Sequence, residues 1–90
     1  MRNRTRDDIL IDMLQSAVLP ITKTGMMYRC MLSYDQLKHY HEYLKEVGLI
    51  RQAERKKWII TDKGQTFMKC YTDAIKMLKT EPTPEPQNRP

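Results

Sequence analysis

The chain opens with an amphipathic run. In TRDDILIDMLQSAVL the apolar residues Ile9, Leu10, Met13, Leu14, Ala17 and Val18 recur at the spacing of one helix face. Thr5 stands where an N-cap belongs, and Asp8 closes a capping box three residues on. Asp7 and Asp8 put negative charge at the positive end of the helix dipole. Pro20 is the predicted stop. Ile21 and Thr22 follow as a short strand. A short helix then runs from Lys23 to Cys30, capped by Thr22, with Met26, Met27, Cys30 and Leu32 toward the core. Gly25 falls in its first turn, where a glycine costs a helix about 1 kcal/mol.

The stretch LSYDQLKHYHEYLKEVGLI, from Leu32 to Ile50, carries its own start and stop. Ser33 and Gln36 form a capping box worth about 1 kcal/mol. Leu37, Tyr40, Leu44 and Val47 define a core face, and the tyrosines of this helix are mostly assigned to the core. Gly48 suits the left-handed residue that ends a helix. The short gap from Cys30 to Ser33 forces two helices to meet at a tight angle, a helix-turn-helix shape.

After Gly48 the period changes. Two short strands are predicted, over 49–53 and 57–61, joined by a polar tip. The tip has no Asn-Gly or Asp-Gly pair, so its turn type is not fixed by sequence. Trp58 is expected to pack the hairpin onto the helices. Thr61 caps a last helix over 61–79, with Phe67, Met68, Tyr71, Ala74, Ile75 and Leu78 apolar. The predicted domain therefore spans 5–79, after a flexible basic N-terminus over 1–4. Residues 80–90, with Pro82, Pro84, Pro86 and Pro90 and no large apolar side chain, are predicted to form a disordered tail.

Size and charge sharpen this picture. A 90-residue chain is one domain, and one that buries only about 60% of its unfolded surface gains from a second copy. The net charge of +5 favours an anionic partner, nucleic acid before membrane. No stretch approaches the ~20 apolar residues of a membrane span. Cys30 and Cys70 are too few and too distant for a disulfide framework or a zinc set, and read as free thiols of a reducing compartment. The N-terminal MRNRTRDD lacks the apolar core of a signal peptide, so the expected location is the cytoplasm or nucleoid. Of the seven methionines, Met13, Met26, Met27, Met31 and Met68 fall at or beside core positions.

The element order reads as a winged helix-turn-helix, mainly α with a small β-hairpin wing. LSYDQLKHY at the head of the third helix, and Thr61-Asp62-Lys63-Gly64 directly after the hairpin, resemble the small archaeal winged-helix DNA-binding proteins. The resemblance covers residues 5 to 78. It implies binding to double-stranded DNA, commonly as a homodimer joined through the last helix, in the role of a transcription regulator or chromatin-type protein. His41 stands where that family usually has an aliphatic residue. The Pro-rich tail stands where some relatives extend the last helix into a long coiled coil.

With the third helix, over 33–47, as the recognition helix, its N-terminal part faces the major groove. That nominates Ser33, Tyr34, Gln36, Lys38 and His39. Gln pairs bidentately with adenine, Ser reads either way, and Lys reaches guanine or phosphate. Asp35, Glu42 and Glu46 share the outward arc: Asp35 could accept from cytosine or simply strengthen the helix start, while Glu42 and Glu46, further along, would repel phosphate. Arg51, Arg55, Lys56 and Lys57 cluster on the wing, over 51–58, opposed only by Glu54. Such a basic hairpin suits phosphate or minor-groove contact, against the plainer reading of a solvated turn. Arg2, Arg4 and Arg6 form a second basic patch on the flexible end, and Lys23 and Arg29 could touch backbone.

The last helix repeats Phe67, Tyr71, Ala74 and Leu78 with the spacing of a coiled-coil seam, widened by Ile75. These five are the expected homodimer interface. The alternative is coverage by the first helix within one chain.

Chemistry has little footing. His39 and His41, two residues apart, point about 200° apart on a helix and cannot chelate one ion. His41 reads as a half-buried packing residue. No nucleophile–base pair, Gly-rich phosphate loop or carboxylate pair stands out, so no enzyme, cofactor or metal is expected. The rival to DNA binding is a winged-helix protein-interaction module, which the acids of the third helix favour. A sequence-nonspecific DNA-coating protein is a further alternative.

Overall fold

The computed structural model describes residues 4–79, so the tail predicted over 80–90 and the first three residues lie outside the described residues. The elements run α1 (Arg6–Ser16), β1 (Ile21–Thr22), α2 (Lys23–Arg29), α3 (Tyr34–Glu46), β2 (Ile50–Gln52), β3 (Lys57–Ile60) and α4 (Asp62–Lys79). Together they form a winged helix-turn-helix α+β fold.

Each helix start uses the cap its sequence offers. The Thr5 hydroxyl accepts from the Asp8 amide at 3.0 Å, and the Asp8 carboxylate accepts from the Thr5 amide at 3.1 Å. Ser33 and Gln36 do the same for α3, at 3.1 and 3.0 Å. Thr22 Oγ1 accepts from the Gly25 amide at 3.0 Å. Gly48 closes the α3 end in the left-handed region, at φ +80°.

The first helix is shorter than its apolar period suggests. It ends at Ser16, with Ala17 as its C-cap, and not at Pro20. Ala17 is fully buried, and its carbonyl accepts from the Ile60 amide at 2.8 Å. That bond ties the chain to the sheet and turns it away from the helix axis. Val18 and Leu19, counted or adjacent to the helix stripe, are exposed.

The sheet is antiparallel with order β1-β3-β2. Ile21 faces Trp58 on one side of β3, and Gln52 faces Trp58 on the other. The two-residue β1 thus makes the wing a three-stranded sheet. The wing tip turns at Glu54–Lys57, with the Lys57 amide bonded to the Glu54 carbonyl at 3.2 Å. Arg55 and Lys56, its two central residues, have φ of +56° and +60°. Two positive φ values are the mark of a type I′ turn, here built without glycine or asparagine.

The core joins α1, α2, α3 and the sheet through Leu10, Met13, Leu14, Met26, Leu37, Leu44, Ile50 and Ile60. Met31 does not belong to it. At φ +57° and 82% exposed, it is the residue that makes the tight turn between α2 and α3. His41 is more deeply placed than expected, at 2% exposure. Tyr40 packs on the core, but Tyr34 and Tyr43 are exposed, so the tyrosines of α3 are mostly outside it. Among the described residues no helix is long and apolar enough to cross a membrane.

Candidate nucleic-acid interface

The first turn of α3 is set by its capping box, and this decides what its polar side chains can do. Ser33 Oγ and Gln36 Oε1 are each engaged by a backbone amide. A Gln that reads adenine bidentately needs that same Oε1 as acceptor. What projects freely from this end is Tyr34, 66% exposed, with Lys38 and His39 on the following turn. The His39 ring meets Tyr40 edge-on at 5.0 Å.

The outward face of α3 forms a shallow groove lined by Asp35, Lys38, His39, Glu42, Tyr43 and Glu46. Three carboxylates face one lysine and one histidine there. Lys45 beside it is paired to Glu42 at 3.2 Å. This face is no cationic platform.

The wing is different. Arg51, Arg55, Lys56 and Lys57 are all exposed, so the structure brings the four predicted cations to one hairpin. Two of them occupy the left-handed positions of the turn, where an L side chain is strained by roughly 1 kcal/mol or more. Lys23 at the start of α2 lies beside them in space. Its ammonium sits 5.8 Å from the Trp58 ring centroid.

Of the three arginines predicted to form an N-terminal patch, Arg2 lies outside the described residues, and Arg4 and Arg6 are both engaged with the fold. Arg4 Nη1 pairs with Asp12 at 3.0 Å, and its Nη2 donates to the Met31 carbonyl at 3.1 Å. Arg6 lies over the Tyr43 ring at 4.7 Å. Both arginines brace the helix-turn-helix from the side of α1. No local pattern announces this clamp, because its partners are 8 and 27 residues away from Arg4.

Behind the wing, the His41 ring meets Trp58 edge-on, with centroids 4.5 Å apart and planes at 89°. Its Nε2 has no hydrogen-bond partner among the described residues. Burial, then the charges of Lys23 and Lys45, lower its pKa to about 4 against a small opposing effect of Glu42. The imidazole is therefore neutral near pH 7 and acts as packing.

Along α4, Phe67 and Tyr71 stack at 6.3 Å. Partial desolvation raises the Tyr71 pKa, and the carboxylates of Asp8 and Asp7 add to the shift. The middle of α4 therefore runs beside the start of α1. Beyond that point Ala74 and Leu78 are exposed and Ile75 is half-buried, so α1 covers the seam only in part.

A comparison with curated proteins gives no match. Residues 3–79 match the family model described as winged helix-turn-helix, a span that takes in all the helices, the wing and both caps of α3. On that match and on this architecture, the chain belongs to the winged helix-turn-helix family, whose members are typically non-enzymatic DNA-binding domains.

Proposed function

We propose that the protein is a transcription regulator that binds duplex DNA as a homodimer, associated with the nucleoid. The observation that carries the reading is the wing. Four exposed cations crowd one short hairpin, and two of them are kept at left-handed positions that asparagine and glycine would occupy at less cost. Backbone strain retained with a charged side chain points to a use for that charge. The wing grips phosphate or minor groove, while Tyr34, Lys38 and His39 enter the major groove beside it. Ser33 and Gln36 serve first as the cap that holds this end of α3. The dimer forms on Phe67, Tyr71, Ala74, Ile75 and Leu78 of α4.

A protein-interaction module is the second reading. The acid-lined outward groove of α3 favours it.

The test is a salt titration of binding to a labelled mixed-sequence duplex, with and without random competitor DNA. Tight binding that survives competitor is the expected result for a regulator. Steep salt dependence with easy competition makes the protein a general DNA coat. Absence of binding even at low salt rejects the DNA reading in favour of the interaction module. Arg55→Glu with Lys56→Glu is expected to abolish DNA binding, and unchanged affinity would remove the wing from the interface.

A further inference from the structure

Three surface grooves stand out among the described residues, and their charge differs. The one on α3 carries Asp35, Glu42 and Glu46. The one between α1 and the α2–α3 turn carries Asp12, which holds Arg4 in an ion pair. The third lies between the start of α2 and the wing, lined by Thr22, Lys23, Thr24, Gln52, Lys56 and Trp58. It alone combines cations with no carboxylate in its lining.

Its walls come from separate parts of the chain and are fixed independently. Lys23 and Thr24 are placed by the Thr22 cap. Gln52 and Trp58 are direct partners across β2 and β3. Lys56 is set by the turn, at φ +60°. Trp58 forms the floor, held from behind by His41 and the core, with the Lys23 ammonium over its ring. A strip with a rigid apolar floor, neutral hydrogen-bonding groups and a lysine from each wall suits one phosphodiester strand. The lysines neutralise the phosphates, the hydroxyl and amide groups donate to their oxygens, and the indole lies along the sugars.

Resting on the reading of this protein as a duplex-DNA binder, we propose that the groove between α2 and the wing is the seat of one DNA backbone strand, with Lys23 and Lys56 as its phosphate clamp. Affinity then resides mainly at this groove and the wing, and the outward face of α3 adds little. Lys23, Thr24, Gln52 and Trp58 become contact residues.

Trp58 is the sole tryptophan of the chain, so the native protein reports on its own groove. Titration with a mixed-sequence duplex at low salt is expected to change Trp58 emission in step with binding measured on the labelled DNA. Each lost phosphate contact lowers the log–log salt slope by about 0.9, so Lys23→Ala should flatten it by that amount and the double change with Lys56→Ala by about twice as much. Lys76→Ala on α4 removes the same charge away from the groove and should leave the slope unchanged. Lys23→Gln repeats the test with the side-chain length kept, and far-UV circular dichroism verifies each fold. The proposal is overturned if the native protein binds duplex while Trp58 emission stays constant and Lys23→Ala behaves as Lys76→Ala does. If the native protein binds no duplex at all, the DNA reading itself fails, and the clamp with it.

Discussion

The Lys63 ammonium donates to the carbonyl of Val47, the C-cap of α3, at 2.7 Å. It does so from the first turn of α4, across the whole wing in sequence. Thr61 Oγ1, which accepts from the Gly64 amide at 3.0 Å, donates to the Gly48 carbonyl at 2.6 Å. Gly64 lies against the Leu49 backbone, where an added Cβ would collide with the Leu49 carbonyl and approach Ile60 Cγ1. The Thr-Asp-Lys-Gly segment is thus a latch: it caps one helix, closes the end of another, and fixes the angle between them.

The latch predicts a ranked pair of losses. Gly64→Ala should cost about 1–3 kcal/mol, because neither the Leu49 backbone nor a packed Ile60 can yield cheaply. Lys63→Met should cost only about 0.5–1 kcal/mol, since its bond is solvent-exposed. Urea denaturation compares them, and a Lys63 loss larger than that of Gly64 would contradict the packing account.

His41 predicts a pH dependence with a definite sign. Its pKa is about 4 in the fold, against an ordinary value of 6.5. The unfolded chain therefore binds the proton first, and stability is lost as pH falls through the window from 6.5 to about 4. Above pH 6.5 both states are neutral there and the term is constant. Between pH 7 and 5 the native protein should lose on the order of 2 kcal/mol more than His41→Leu. The variant also removes the unpartnered Nε2 and should be at least as stable at pH 7. Equal acid sensitivity of the two, measured by denaturant midpoints, would exclude His41 as the source.

The wing turn should show opposed effects on stability and binding. Arg55→Asn with Lys56→Gly supplies the residues that a type I′ turn prefers, and is expected to add about 1 kcal/mol. The same change removes two cations and should lower the salt slope of DNA binding by up to about 1.8. Thermal melts and salt titrations on the one variant read both effects.

The end of α4 should be a site of self-association. Met77 and Leu78 are 76% and 80% exposed, beyond Tyr71, which lies near Asp7 and Asp8 of α1. Sedimentation equilibrium is expected to give twice the chain mass of 10.8 kDa. Ile75→Lys with Leu78→Lys should give a monomer of unchanged far-UV spectrum. A native monomer at tens of micromolar would reject the dimer.

The local signals were legible in the sequence because they act over a few residues. Thr5 with Asp8, Ser33 with Gln36, Thr22 before Gly25 and Gly48 after Val47 are bonds or backbone states that neighbours alone can set, and the helices follow from them and from the apolar period. The wing cations were legible for the same reason, since Arg51, Arg55, Lys56 and Lys57 fall within one short hairpin segment. Tertiary structure decided what depends on distant partners. It ended α1 at Ser16, because Ala17 has a sheet partner in Ile60. It drew Arg4 onto Met31 and Asp12, and sank His41 behind Trp58. It placed Met31 outside the core, since the tight turn needs a left-handed residue there whatever the side chain. It also brought Lys23 and Lys56 to the two walls of one groove: periodicity records which face a residue occupies on its own element, whereas a site between elements exists only once strand pairing has set α2 against the wing.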